Sequence, residues 1–313
     1  MHPAFSVIFL TTLIGAGQGL FVAIYAAQWS ERHGWLAVGP GRDYVIIAAL
    51  VSMALTAGGL AASFFHLGRP GRAWRSAAKW RTSWLSREVI ALPAFLGATA
   101  LYAAAAYADF DAPLVAGAPA ALACIALFVC TSMVYAGIRF LREWASPLTM
   151  INFTLIGCAS GFTLAAALSA ALAPRLFSFH AVGAAALTAA ALVSRAASLV
   201  RNARLKPKST LQSAIGVKHP RIVQIAQGFM GGSFNTREFF HGASARAFRS
   251  IKWLAIALAF AIPIVLLVAA LVLSAPALAI AALVVQYVGL VAERWFFLAQ
   301  ANHPQNLYYQ AIA

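Results

Sequence analysis

A histidine, two glutamates and an arginine stand out in this chain because of where they fall. His66 closes one long apolar stretch, Glu88 opens the next, and Glu293 and Arg294 lie near the end of the last. Tyr135 and Asn152 sit at the matching ends of two stretches between them. An ionisable group near membrane depth is costly and needs a chemical reason or a partner. Together these residue types suit proton-coupled chemistry on an amphipathic carrier such as a quinone. Its carbonyls accept hydrogen bonds, its tail stays in lipid, and its reduction takes up two electrons and two protons. Histidine can donate to such a carbonyl and can change charge near neutral pH. A carboxylate can receive or relay the proton. Trp84 offers an aromatic wall for a ring-shaped slot, and Arg81 can steady a pocket or bind phosphate. The plainer reading is that polar residues at helix ends anchor the helices, with Glu293 and Arg294 facing headgroups. Transporters place carboxylates and histidines in the same way, so the residues alone leave both classes open.

The elements that carry these groups follow from composition. The chain has 313 residues, of which 62% are hydrophobic and only 10% charged, with a mean hydropathy of +0.80. So few charges cannot give a chain of this length a polar skin. That excludes a soluble enzyme, a disordered chain and a secreted disulfide scaffold. It predicts an all-α integral membrane protein in a single membrane domain, 1–313. Eight runs are long and apolar enough to span: 4–27, 44–65, 89–107, 117–138, 148–173, 177–199, 253–273 and 277–298. A helix over 44–65 would rise about 33 Å, enough to cross a bilayer with little tilt. No ten-residue alternation argues for a barrel. The first run is too long, and too poor in basic residues at its start, for a cleavable signal.

Eight spans place both termini on one side, here side A. All 23 basic residues except Arg32, Arg42 and Arg175 fall on side A. The positive-inside rule puts that side in the cytoplasm of a bacterial inner membrane. The net charge of +15 is therefore an orientation and anionic-lipid signal, and no nucleic-acid partner is expected. Cys124, Cys130 and Cys158 lie in apolar runs without CxxC spacing, so they read as small core residues and no metal is expected in this chain. A b-type haem needs two facing axial histidines, whereas His66 and His180 lie at opposite faces. His180 reads as a lone interfacial histidine. Glycines at 15, 17, 19, 58 and 59 suit close helix packing. No charged residue reads as lying at the midplane, which weighs against a secondary transporter without removing it. The connection 200–252 is too long for an ordinary loop. Its aromatics Phe229, Phe234, Phe239 and Phe240 suggest that it lies on the membrane surface or on a partner subunit.

Several stretches resemble one family. His66-Leu67-Gly68-Arg69-Pro70 and Arg81-Thr82-Ser83-Trp84-Leu85-Ser86-Arg87-Glu88 are similar to the membrane anchor subunit of dimethyl-sulfoxide-reductase-type molybdoenzymes. So are Met1-His2-Pro3-Ala4-Phe5-Ser6, the stretch from Gly231 to His241, and Glu293-Arg294-Trp295-Phe296-Phe297 with His303-Pro304-Gln305-Asn306. The motifs span almost the whole chain, in the family's order. The resemblance implies an eight-helix, metal-free anchor. It would bind a four-cluster iron–sulfur subunit, which in turn binds a molybdopterin catalytic subunit. The anchor would exchange electrons with menaquinone or ubiquinone. It also implies that His66 and Glu88 serve quinol binding; Arg81, Trp84 and Tyr135 are candidates for lining the site by their residue types and level. Arg69, Arg72, Arg75, Arg237, Phe239, Phe240 and His241 would then meet the partner or lipid headgroups. One branch of the family oxidises quinol to reduce S-oxides or N-oxides. The other serves cytoplasmic sulfite dehydrogenases and reduces quinone, which the cytoplasmic placement of side A favours.

Overall fold

The fold is that of a computed structural model, which describes residues 1–65, 67–110, 113–225 and 238–309. Among the described residues there is no strand, and eight helices are long and apolar enough to cross a membrane. The spans are α1 (Phe5–Arg32), α2 (Arg42–Phe64), α3 (Trp84–Tyr107), α4 (Pro113–Ala136), α5 (Pro147–Leu172) and α6 (Phe177–Ala203). A short α7 (Leu211–Ile215) precedes the last two, α8 (Ala245–Val272) and α9 (Leu278–Ala299). The expected spans match these in number and order, but several boundaries move into polar sequence. Ser83 accepts a hydrogen bond from the Ser86 N–H, so α3 opens at Trp84 and takes Glu88 into its second turn. Ser244 caps α8 in the same way, through Ala247 N–H at 3.2 Å. The connection after α6 therefore runs only from 204 to 244.

The spans α1 and α5 form the centre of the bundle, and α1 also packs on α2. Spans α3 and α4 pair on one flank, while α6 joins α5 and α8 joins α9. Small residues make the central crossing possible. Gly15 and Gly19 on α1 meet Gly157 and Gly161 on α5, two GxxxG spacings face to face. A Cβ on Gly19 or Gly161 would overlap the opposing backbone. Gly161→Ala is expected to lower stability by about 1–3 kcal/mol, the range for an inserted methyl in a tight core. Thermal unfolding in detergent would read it, and an unchanged midpoint would mean the helices can part freely.

Within α8, Ala257–Ala261 forms a π turn ahead of Pro263. Pro263 has no N–H for the Ala259 carbonyl four residues back, and its ring crowds that turn. The Gln286 amide of α9 donates to the Ala259 carbonyl at 3.4 Å and to Thr188 Oγ1 at 3.2 Å. Lipid offers no such donor, so this deep glutamine satisfies backbone that the proline has freed. His180 is not a lone side chain. It is fully buried, with Nδ1 3.4 Å from the Tyr44 hydroxyl and its ring between Tyr44, Phe162 and Phe179.

The N-terminus lies against the segment that follows α9. The Met1 ammonium donates to Ala301 O at 2.8 Å, and His2 N–H donates to Glu238 O at 2.7 Å. Burial pushes the Met1 amino group down to about 6, with Glu143 opposing the shift. His303 and His241 are also held below the usual histidine value, first by burial and then by the Met1 charge. A group whose folded value is depressed in this way is a base that the fold prefers neutral. The unfolded chain binds more protons in that window, so stability rises with pH. Docking of residues 1–5 against 301–303 is expected to tighten from about pH 6 to pH 8. Slower amide exchange at those residues, beyond the intrinsic pH effect, would show it; flat protection would refute it.

Candidate functional site

Between α2 and α3 the chain forms a 3₁₀ strap, Pro70–Lys79, lying outside the spans. Its exposed Trp74 and the following Trp80 each carry an arginine over the ring: Arg75 at 5.5 Å and Arg81 at 5.4 Å from the ring centroids. Arg87, in the first turn of α3, lies over Trp84 at 4.2 Å. It also donates to the Trp80 and Arg81 carbonyls, both at 2.8 Å. Arg87 thus ties the strap to the helix that bears Glu88. An open depression of about 430 Å³ lies along Ala78, Lys79, Trp80, Arg81 and Thr82.

Glu88 itself is buried, at 7% exposure. Its Oε1 accepts from the Thr131 hydroxyl of α4 at 2.7 Å. Trp84 is one turn before Glu88 on the same face of α3 and packs against Gly137, just past the end of α4. Tyr135, one turn after Thr131, continues this face of α4. Its ring lies 5.3 Å from Phe153 of α5 and 5.4 Å from Phe297 of α9. Glu88 and Trp84 therefore line the seam between α3 and α4, while the Tyr135 ring turns toward α5 and α9.

The other charges at this level belong to a second group. Arg195 of α6 reaches Glu293 of α9, Nε to Oε1 at 2.8 Å, and Arg294 lies 3.4 Å from the second carboxylate oxygen. These three side chains are 2–5% exposed, so they are not headgroup anchors. Arg294 sits 3.8 Å over the Phe153 ring. Asn152 turns to α6 and donates to Ser198 at 2.7 Å. A cavity of about 10 Å³, the room of one water, lies where Thr131, Arg294, Gln18, Thr11, Thr12 and Ser160 converge. Among the described residues no group of three or more His, Cys, Asp or Glu comes together.

Similarity to known proteins runs along the same helices. The family described as DMSO reductase anchor subunit (DmsC) matches residues 1–299. The chain belongs to this anchor family. It is also 50% identical to the C subunit of the sulfite dehydrogenase of Allochromatium vinosum, with both chains covered along their full length. Eight spans and this family together make it a multi-pass membrane anchor.

In this anchor, sequence-predicted site residues separate into four sets. Glu88 and Trp84 come together, Arg81 lies in the adjoining segment that Arg87 ties to α3, and the Tyr135 ring packs instead among Trp144, Phe153 and Phe297. His66 and Arg237 lie outside the described residues, as do Phe229 and Phe234. Arg69, Arg72 and Arg75 are on or beside the exposed strap. Phe239, Phe240 and His241 are half-buried against this chain's own C-terminal elements. Phe239 stacks on His303 at 3.7 Å, Phe240 meets Tyr309 at 6.3 Å, and His241 stacks on Phe248 at 5.0 Å. The described aromatics of the long connection thus have an intramolecular partner that was absent from the sequence expectation. Arg195 was missed as a partner for Glu293. The available signal was an arginine about one turn inside the sixth apolar run, which the cost of intramembrane charge marks for a partner.

Proposed function

We propose that this chain is the quinone-reactive anchor of a molybdopterin/iron–sulfur oxidoreductase, working in the direction of sulfite oxidation. The observation that carries the reading is the buried Glu88 carboxylate, beside an aromatic seam and an exposed basic strap, in a chain of the anchor family. The 50% identity to the C subunit of a sulfite dehydrogenase supports the direction. Quinone, when bound, supplies a two-electron, two-proton acceptor. Electrons would arrive from the iron–sulfur subunit, docked on the strap side with the catalytic subunit beyond it. His66 would donate to a quinone carbonyl, and Glu88 would pass a proton. Trp84 and Tyr135 would wall the ring, and Arg81 would steady its edge. Thr131 fits this role for Glu88, because it orients one carboxylate oxygen and leaves the group free to change protonation. The excess of basic residues on side A supports a strap and partners on the cytoplasmic side of a bacterial inner membrane.

The family description supports a second reading, quinol oxidation for an S-oxide reductase. Isolated complex in quinone-loaded vesicles separates the two. Sulfite-dependent quinone reduction is expected, with this chain copurifying with the two metal-bearing subunits. Quinol-dependent S-oxide reduction would support the second reading instead. A chain that purifies alone and moves a solute in liposomes would refute both.

A further inference from the structure

Charge meets the bilayer a second time at the start of α8. Residues 253–272 of this helix rise about 30 Å, the thickness of a hydrocarbon core. The helix begins about two turns earlier, at Ala245, so its first residues stand at headgroup level. That segment carries Arg246, Arg249 and Lys252, and neither Asp nor Glu occurs from 239 to 292. Among the described residues, no ion pair or side-chain hydrogen bond engages any of the three.

Packing fixes which way these cations point. Phe248 stacks on His241 at 5.0 Å and meets Phe296 of α9 at 4.7 Å, and Ala255 and Ala259 are buried below it. One side of the helix is thereby held against the bundle. Positions 246, 249 and 253 lie roughly 100° or more around the axis from Phe248, and all three are exposed. The Lys252 ammonium reaches the same side, 4.8 Å over the exposed Trp253 ring. Beyond Trp253 the exposed large side chains of α8 are aliphatic, with Ile262, Val265, Val268 and Val272 among them. Free cations, an indole and an aliphatic wall thus follow one another down the helix. A phospholipid presents phosphate, ester and acyl chain in the same order.

We infer that the exposed side of α8 is a binding site for an anionic phospholipid, with Arg246, Arg249 and Lys252 on its phosphate and Trp253 at its ester level. Guanidinium forks match phosphate oxygens, and tryptophan favours the boundary between headgroup and chain. A water-soluble partner could answer the three cations but would leave the aliphatic wall bare. A zwitterionic lipid brings an ammonium that the cations repel. The site uses none of the groups assigned to the quinone reaction.

The test is a titration of the intact complex in detergent with phosphatidylglycerol, read as lipid-bound species by native mass spectrometry. A basic residue at an anionic membrane surface is worth about fivefold in affinity. Changing all three, Arg246→Gln, Arg249→Gln and Lys252→Gln, is therefore expected to weaken the tightest binding about 100-fold. Removing the same charge from the exposed connection after α6, by Arg204→Gln, Lys206→Gln and Lys208→Gln, should leave it unchanged. Phosphatidylcholine and glycerol phosphate should not displace the bound lipid. An α8 triple variant that binds phosphatidylglycerol as the parent does overturns the inference. So does an equal loss in the α6 variant, which would make the effect one of net charge. Displacement by glycerol phosphate would show a site that reads phosphate alone, and the lipid assignment would fall. If the α8 variant instead sheds its partner subunits while keeping the lipid, the face is a protein interface and the inference falls. Should the triple variant not assemble, Arg249→Gln alone must weaken binding about fivefold, and an unchanged affinity overturns the inference equally.

Discussion

Glu88→Gln is expected to cut quinone-coupled turnover at least about 100-fold, the lower range for losing a positioned acid–base group. Turnover with a soluble electron acceptor should survive. The contrast follows from the geometry. Glutamine fills the same space and can keep the 2.7 Å contact with Thr131, accepting through its carbonyl oxygen. It cannot take or give the proton. Trp84 against Gly137, Tyr135 in its aromatic cluster and the Arg87 ties to the strap are all untouched. The complex should therefore assemble, and electrons should still reach a soluble acceptor from the metal-bearing subunits. His66→Leu should show the same split through loss of a donor to the quinone carbonyl. Normal quinone-coupled turnover in Glu88→Gln would make the carboxylate a packing element and move the site elsewhere.

The helices were legible because their signal is length and apolarity, which a linear reading measures directly. Their starts were less so. An apolar run begins where polar residues stop, but α3 and α8 begin at the serine caps Ser83 and Ser244, inside polar sequence. Glu88 consequently lies in the second turn of a span rather than before it. The level of the polar groups was also legible, since position along a span gives depth. Their azimuth was not. Tyr135 and Arg294 meet the same Phe153 ring, whereas Asn152, next to it in sequence, faces α6. Adjacent residues on a helix point about 100° apart, so only the packing order decides which side chain joins which partner. The same limit hid the pairing of Arg195 with Glu293, which joins helices α6 and α9. Phe239 and His241 needed the C-terminal segment as a partner, and no pattern inside the connection announces it.

Glu293→Leu is expected to be the most damaging single change to stability. It strips the carboxylate from Arg195 and Arg294 together, while both remain buried among Phe153, Phe296 and Phe297. Breaking a buried pair by removing one partner costs about 3–5 kcal/mol in soluble proteins. Here one carboxylate serves two cations, so the loss belongs at the upper end of that range. Cation–π contact with Phe153 offsets only part of it, worth about 2 kcal/mol when desolvated. Arg195→Leu should be milder, because Glu293 keeps Arg294 at 3.4 Å. The double change, Arg195→Leu with Glu293→Leu, leaves one bare arginine rather than two and should be more stable than Glu293→Leu alone. That ordering separates charge from shape: a purely steric role for Glu293 would make the double variant the worst of the three. Detergent unfolding midpoints and the amount of chain recovered in membranes both report it. If Glu293→Leu unfolds at the parent midpoint, water reaches the arginines and the cluster is not sealed within the bundle.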